Sequence, residues 1–222
     1  MKTDLTDLLA QWPHDPHETS VRLLEGQDGR PILQIRLDLG VLQLEMTGRP
    51  DGQPSVLPKE AGDTLNAELA AAVAGEISQY DTRTRALMLL GEFGLAAQDA
   101  DHMVSASRTL LESGHHEHTV ALLAHSLTLR SRAMAEASLA TQRPDLARMA
   151  LDRGLEELEA LLGVDALSSS NEAQLLNGMR DLLVPRLPAS QRAELQERLR
   201  LALAAENYEL AAILRDELRL MR

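Results

Sequence analysis

The period of the hydrophobic pattern changes once along this chain, and that change limits the folds open to it. Between Val21 and Met46 apolar and polar residues alternate. Val21 and Leu23 flank Arg22; Leu33, Ile35, Leu37 and Leu39 are separated by Gln34, Arg36 and Asp38; Leu42, Leu44 and Met46 are separated by Gln43 and Glu45. A period of two is that of a strand with one apolar and one polar face. Asp28-Gly29 and Gly40 mark the two turns, so the segment reads as a three-stranded antiparallel meander. Leu33, Ile35 and Leu37 form its inward set, and Gln34, Arg36 and Asp38 its outward set. Three strands cannot stand alone in water with an apolar face open. Either helices cover that face or a second copy of the chain does, as a homodimer. The alternation ends at a Pro/Gly-rich loop, Gly48 to Pro58, in which Arg49-Pro50-Asp51-Gly52 reads as a plain turn, with a binding loop as the alternative.

Beyond that loop the pattern is helical. The chain is 44% hydrophobic but has only four aromatics, Trp12, Tyr80, Phe93 and Tyr208. Its core is therefore aliphatic, built on Leu and Ala, which favour helix. A helix capped by Thr64 is predicted to run to Leu90, with a second ending near Ser113-Gly114. A third spans Glu117 to Ala140, a fourth Leu146 to Leu162, and a fifth Glu172 to Val184 after a Ser168–Asn171 linker. A short helix over Thr3 to Gln11, ended by Pro13, and a turn at His14-Asp15-Pro16-His17 precede the meander. The turns Gly91–Ala97 and Gln142–Ala147, each followed by a small residue (Ala96, Ala147), resemble the inter-helix turns of tetratricopeptide repeats. Ala96 and Ala147 are too far apart for that family's repeat length, and Arg83 stands where it prefers an apolar residue. The expected fold is thus α+β, mostly α: a meander over residues 1–60, a body of antiparallel helical hairpins over 61–185, and a helical hairpin over 186–222. Pro185 and Pro188 mark the hinge.

Charge and composition exclude several functions. The net charge is −12, from 22 basic and 34 acidic residues. Seven Arg stand against six acidic residues from Arg186 to Arg222, so the preceding 185 residues carry −13. Such a chain does not bind phosphate backbones directly. The absence of cysteine removes disulfides and Cys-based zinc sites. No apolar leader follows Met1 and no apolar run approaches a membrane span, so the expected location is the cytoplasm. His115-His116-Glu117-His118 is the densest cluster of metal-ligating types. It follows Gly114 in a loop and lacks the two-His helical spacing of zinc proteases, so it reads as a solvated loop. Arg83, Arg85, Arg130 and Arg132 are candidates for holding a carboxylate or phosphate, against pairing with Glu76, Asp81 or Glu136. No phosphate loop or nucleophile elbow is present. The chain is read as having no catalytic residue, no metal site and no cofactor.

The last 32 residues carry the most specific motif. Leu195, Leu199 and Ala202 form one helical stripe; Ala211, Leu214, Leu218 and Met221 form another, beyond the N-cap residue Asn207 and a first-turn Glu209. A second row, Leu210, Ile213 and Leu220, faces elsewhere; a hairpin of this size cannot bury both rows, so either the rest of this chain or a partner covers the second. Asn207-Tyr208-Glu209, Ala211-Ala212, Leu214-Arg215-Asp216 and Leu218 resemble the UVR motif. This is the helical hairpin of the B and C subunits of the bacterial UV excision nuclease and of the activator of the bacterial protein-arginine kinase. The resemblance implies a protein–protein contact module. In it Tyr208 packs near the bend, Ala211 and Ala212 allow close approach, and Arg215 and Asp216 orient the surface. Leu210, Ala212, Ile213 and Leu220 would meet a partner. It covers only this segment; the nuclease's helicase and catalytic motifs and the activator's Cys clusters are absent. The leading expectation is a non-enzymatic adaptor docking an unidentified protein, with the resemblance pointing to stress response, proteolysis or DNA repair. The alternative is a small-ligand or metal sensor using the meander and the His-rich loop.

Overall fold

The computed structural model describes residues 5–58, 65–116, 118–183, 189–205 and 207–220; the side chains at 189–193, 209, 216, 217 and 220 lie outside that description. The chain is α+β and mostly α, with 66% of it helical and a small antiparallel sheet near the N-terminus. It divides into two compact units, 1–176 and 177–222. The sheet and the helical body share the first unit, because they share a core. Among the described residues no helix is long and apolar enough to cross a membrane.

After a short α1 (Thr6–Gln11) come β1 (Val21–Glu25), β2 (Pro31–Leu37) and β3 (Gly40–Glu45), paired in the order β1-β2-β3. The register sets Leu23 beside Leu33 and Leu33 beside Leu44, and aligns Val21, Ile35 and Leu42 likewise. One face is therefore aliphatic. Its middle packs on Ala86, Leu87, Ala96 and Ala133 from three helices of the same chain, while Leu23 and Leu42 stay partly exposed.

The opposite face departs from the expected register of burial. Gln34 and Arg36, read as outward, are buried, whereas Leu37, read as inward, is 46% exposed at the strand's end. The cause is a polar ladder across the strands, roofed by the segment after α1. Arg22 Nε and Nη2 donate to Gln34 Oε1 at 3.0 and 2.7 Å, and Gln34 Nε2 donates to Gln43 Oε1 at 3.0 Å. The Arg22 guanidinium lies 4.0 Å over the Trp12 ring. Arg36 Nε donates to the Trp12 carbonyl at 2.6 Å, and its Nη1 donates to the carbonyls of Gly40, at 2.9 Å, and Leu37. Buried donors find acceptors this way, and both faces of β2 are covered.

The body comprises α2 (Ala67–Leu89), α3 (Phe93–Glu112), α4 (Thr119–Ala140) and α5 (Pro144–Leu162), each packed on the next. Thr64, the expected cap of α2, and Glu117, the expected start of α4, lie outside the described residues. The cap of α2 is Asn66, whose side chain accepts from the Leu69 N–H at 2.8 Å. The first three helices end alike. Glu92, His115 and Arg143 each donate a backbone N–H to the carbonyl five residues back, on Leu87, Leu110 and Ser138. The residues just before them, Gly91, Gly114 and Gln142, have positive φ. This Schellman closure satisfies orphan carbonyls. Gln142 makes it in a left-handed conformation that a Cβ disfavours. Ala96 and Ala147 are fully buried just beyond two of these turns, which is where close helix approach was expected. Gly154 is tighter still: a Cβ there would meet Ser131 Oγ and lie 2.7 Å from Ser131 Cβ and 3.0 Å from Leu176 Cδ1.

Two further helices, α6 (Val164–Ser169) and α7 (Asn171–Leu183), follow. The six-residue α6 takes up Ser168 and Ser169 of the expected Ser168–Asn171 linker. In the second unit, α8 (Ala189–Ala204) and α9 (Tyr208–Leu220) form the C-terminal hairpin. Asn207 accepts from the Leu210 N–H at 3.1 Å through its side chain, while its own N–H reaches the Ala202 carbonyl at 2.9 Å. Ala202, Ala211 and Leu214 make the core, flanked by Leu195 and Leu199. Pro185, Pro188 and Met221 lie outside the described residues.

Candidate functional site

The hairpin places its two rows differently. Ala211 and Leu214 turn inward with Ala202, and Leu218 is half-buried. On the other row Leu210 is 40% exposed and Ile213 55%; Tyr208, at the head of α9, is 68% exposed. Ala212 is half-buried beside them, and Arg215 is exposed. The side chains of Asp216 and Leu220 lie outside the described residues. Leu201 and Leu203 add exposed apolar surface on α8. Of the expected contact residues, then, Tyr208, Leu210 and Ile213 offer apolar area that the hairpin's own core leaves out.

A second assembly lies within the first unit and joins two residues named from the sequence, Arg83 and Glu76, to Asp99 and His102, which the sequence pattern did not connect with them. Arg83 is buried, and Nε and Nη2 donate to Asp99 Oδ2 and Oδ1 at 2.7 and 2.6 Å, a bidentate pair between α2 and α3. Its Nη1 donates to the carbonyls of Glu45 and Gly48 at 2.6 and 2.9 Å. Those four bonds engage four of its five N–H donors with acceptors of the same unit. Its partner comes from the next helix, not from Glu76 or Asp81 on its own. The Arg83 guanidinium sits 4.9 Å from the Tyr80 ring, and Tyr80 stacks on His102 at 4.0 Å. His102 Nε2 lies 2.8 Å from Oε1 of Glu76, which is itself fully buried. Glu76 also accepts from Ser55 Oγ at 2.7 Å and from the Val56 N–H at 2.8 Å. Burial pushes the Glu76 carboxyl up, but the donors from Val56, Ser55 and His102 outweigh it and hold it below its usual value. At Asp99 burial wins against the pull of Arg83 and raises the carboxyl, so that forming this pair costs much of what its geometry returns.

The network clamps the loop after β3 onto α2 and α3. Arg49 completes the clamp with an ion pair to Asp51 at 2.8 Å and bonds to Gln79 Oε1 and the Pro54 carbonyl at 3.4 and 3.2 Å. The turn Arg49–Gly52 is accordingly a strap and not an open binding loop. The signal that could have found it was a charge on an apolar stripe. Glu76 falls between Val73 and Tyr80, and Asp99 between Ala96 and Met103, positions where an unpartnered charge would be prohibitive. Two of the other three candidate arginines are also engaged. Arg85 pairs with Asp81 one turn away at 2.8 Å, as the intrahelical reading expects. Arg130 reaches Glu157 at 2.7 Å and Asp101 at 3.4 Å, not Glu136.

Three histidines, His102, His115 and His125, lie against structural groups. His115 Nε2 lies 3.0 Å from the Leu65 carbonyl, and His118 caps α4 with a φ of 60°. His125 Nε2 lies 2.8 Å from Asp81 Oδ1. Among the described residues no group of three or more His, Cys, Asp or Glu is placed to hold a metal ion. Two cavities border the sheet. One of about 360 Å³ is polar, lined by His14, Asp15, His17, Arg36 and Asp38. The other, about 540 Å³, is largely apolar, with Leu23, Pro31, Met46 and Leu95 in its wall and Glu25 and Glu92 beside them.

Comparison with known proteins found no matching family model, no similar curated protein and no similar solved structure.

Proposed function

We propose that this chain is a non-enzymatic adaptor whose C-terminal hairpin docks a partner protein. The observation that carries this reading is the exposed row on α9: Leu210 and Ile213, with Tyr208 at the helix start, lie outside the hairpin's small core. Exposed apolar side chains clustered on one short helix mark contact surfaces, and these belong to the segment that resembles the UVR motif. The first unit supports the reading in a different way. Its internal charges are consumed by the clamp around Arg83 and Glu76, which suits a rigid scaffold better than a reaction centre.

The test uses affinity capture from the source cell with three forms of the protein: wild type, Ile213→Glu, and a deletion of residues 189–222. A partner retained by the wild type and lost from both others, while Ile213→Glu melts with the wild type, is the expected outcome. If Ile213→Glu melts many degrees lower, Ile213 belongs to a core and the adaptor reading falls. Pathway assignments to stress response, proteolysis or DNA repair follow from the partner once captured.

A second reading, a small-ligand site on the meander, is favoured by the cavity of about 360 Å³ around His14 and Arg36, where His14 Nδ1 is buried without a hydrogen-bond partner. Saturation of a histidine NMR shift by a carboxylate or phosphate ligand would support it; unchanged His14 and His17 resonances would remove it.

A further inference from the structure

We propose that the free edge of β1, together with the apolar cavity beside it, is a docking site for an extended peptide segment carrying an apolar residue followed two positions later by a basic one. This does not rest on the hairpin reading.

The hydrogen-bond phase of the sheet exposes the edge. The Arg36 N–H reaches the Ser20 carbonyl at 2.9 Å and the Gly26 N–H reaches the Arg30 carbonyl at 2.8 Å. Both pairs belong to the β1–β2 register, in which Val21 faces Ile35 and Leu23 faces Leu33. Bonded and non-bonded pairs alternate in an antiparallel ladder. Ser20, Arg22, Leu24 and Gly26 therefore bond to β2, while Val21, Leu23 and Glu25 turn their N–H and C=O groups outward. Among the described residues nothing pairs with those outward groups. The strand lacks the usual edge protection: it has no proline, no lysine and no bulge. Arg22, its one cation, is turned to the other face, bonded to Gln34 and stacked on Trp12.

What lies beside the edge selects the occupant. Leu23 is 41% exposed and faces the cavity of about 540 Å³, with Leu95 and Met46 opposite. An added strand places alternate side chains on this face, and an apolar one there enters the cavity. In a strand added parallel to β1, the next residue on the same face meets Glu25 and Glu92, which line the cavity and have no ion-pair partner among the described residues. Charge complementarity thus calls for Lys or Arg at that position. The same charges disfavour a second copy of this chain, since β1-to-β1 pairing would bring together two bodies whose first 185 residues each carry −13.

The experiment titrates the full chain, isotope-labelled, with the peptide acetyl-Thr-Val-Thr-Leu-Thr-Lys-amide. Amide shifts and slowed hydrogen exchange centred on Val21, Leu23 and Glu25 are expected, as is at least tenfold weaker binding when glutamate replaces the peptide's lysine. Leu23→Pro removes an outward donor without touching the β2 ladder and should abolish binding. Glu92→Lys should weaken it several-fold. If Leu23→Pro misfolds, Leu95→Asp, on α3, tests the cavity instead and should also abolish binding. The proposal is overturned if the amides of β1 do not respond, or if the acidic peptide binds as well. It is equally overturned if sedimentation shows a dimer that Leu23→Pro dissociates, since a second copy would then own the edge. Deleting residues 189–222 should leave peptide binding unchanged, which separates this outcome from the fate of the hairpin reading.

Discussion

The two compact units handle charge and apolar surface in opposite ways. In the first, Glu76, Arg83 and Asp99 are buried and bonded to one another's neighbours, while Leu33, Ile77, Leu87, Met103, Leu151 and Leu158 are almost wholly enclosed. In the hairpin an ion pair within α8, Arg200 with Glu197, is on the surface, and the core is two alanines and a leucine. Burial of an ion pair is weak as a source of stability but demanding in geometry: it holds only where each charge meets its partner. In the first unit such partners tie the loop, α2 and α3 together. The hairpin is specified by little more than a stripe and a cap, and it leaves apolar side chains outside.

The sharpest way to break this contrast is Asp99→Ala. It strands the Arg83 guanidinium in a dry site, and a loss of about 3–5 kcal/mol is expected in urea unfolding. Recovery in the double variant Arg83→Met/Asp99→Leu would show that the penalty is an orphaned charge. Next come the faces of β2. Ile35→Asp should unfold the meander, and Arg36→Asp should also destabilise, by roughly 1–3 kcal/mol, because it orphans the carbonyls of Trp12 and Gly40. A tolerated Arg36→Asp would mean that the polar face is open after all. Gly154→Ala sets two effects in competition. Helix propensity favours Ala by about 1 kcal/mol, but the added Cβ meets Ser131 Cβ and Leu176 at contact distances that neither can easily yield. Overpacking of this kind costs about 1–3 kcal/mol, so a net loss in melting temperature is expected.

Acid should weaken the first unit through Glu76. Its carboxyl is held below the usual value of 4.5, so the folded state binds its proton less readily than the unfolded chain does. That contribution is complete above pH 4.5 and is lost as pH falls through the lower folded value. Asp81 and Glu157, also lowered, act with the same sign. Stability measured against pH should fall less steeply below 4.5 in Glu76→Gln than in the wild type. The smallest effect belongs to the hairpin: Ile213→Glu, at a site more than half exposed, should change stability by less than about 0.5 kcal/mol.

The elements themselves were legible because their signals are local. Alternation from Val21 to Met46 becomes three strands, and the Leu and Ala stripes become helices that end at Gly91 and Gly114. The split of α9 into a buried and an exposed row also follows from spacing alone, as Leu214 and Ile213 illustrate. The six-residue α6 was missed because it is shorter than two helical turns and displays no period to read.

The sequence by itself determined which segments are strand or helix and where they turn, since neighbours within four residues settle those choices. Only the tertiary structure decided the rest. Arg83 chose an Asp 16 residues away over the acids of its own helix, and Arg36 found the Trp12 carbonyl 24 residues back and became a core residue. The outward edge of β1 likewise depends on which alternate groups β2 takes. Each of these is a contest between partners distant in the chain, won by whichever the packing brings within hydrogen-bond reach, and a one-dimensional pattern carries no distances of that kind.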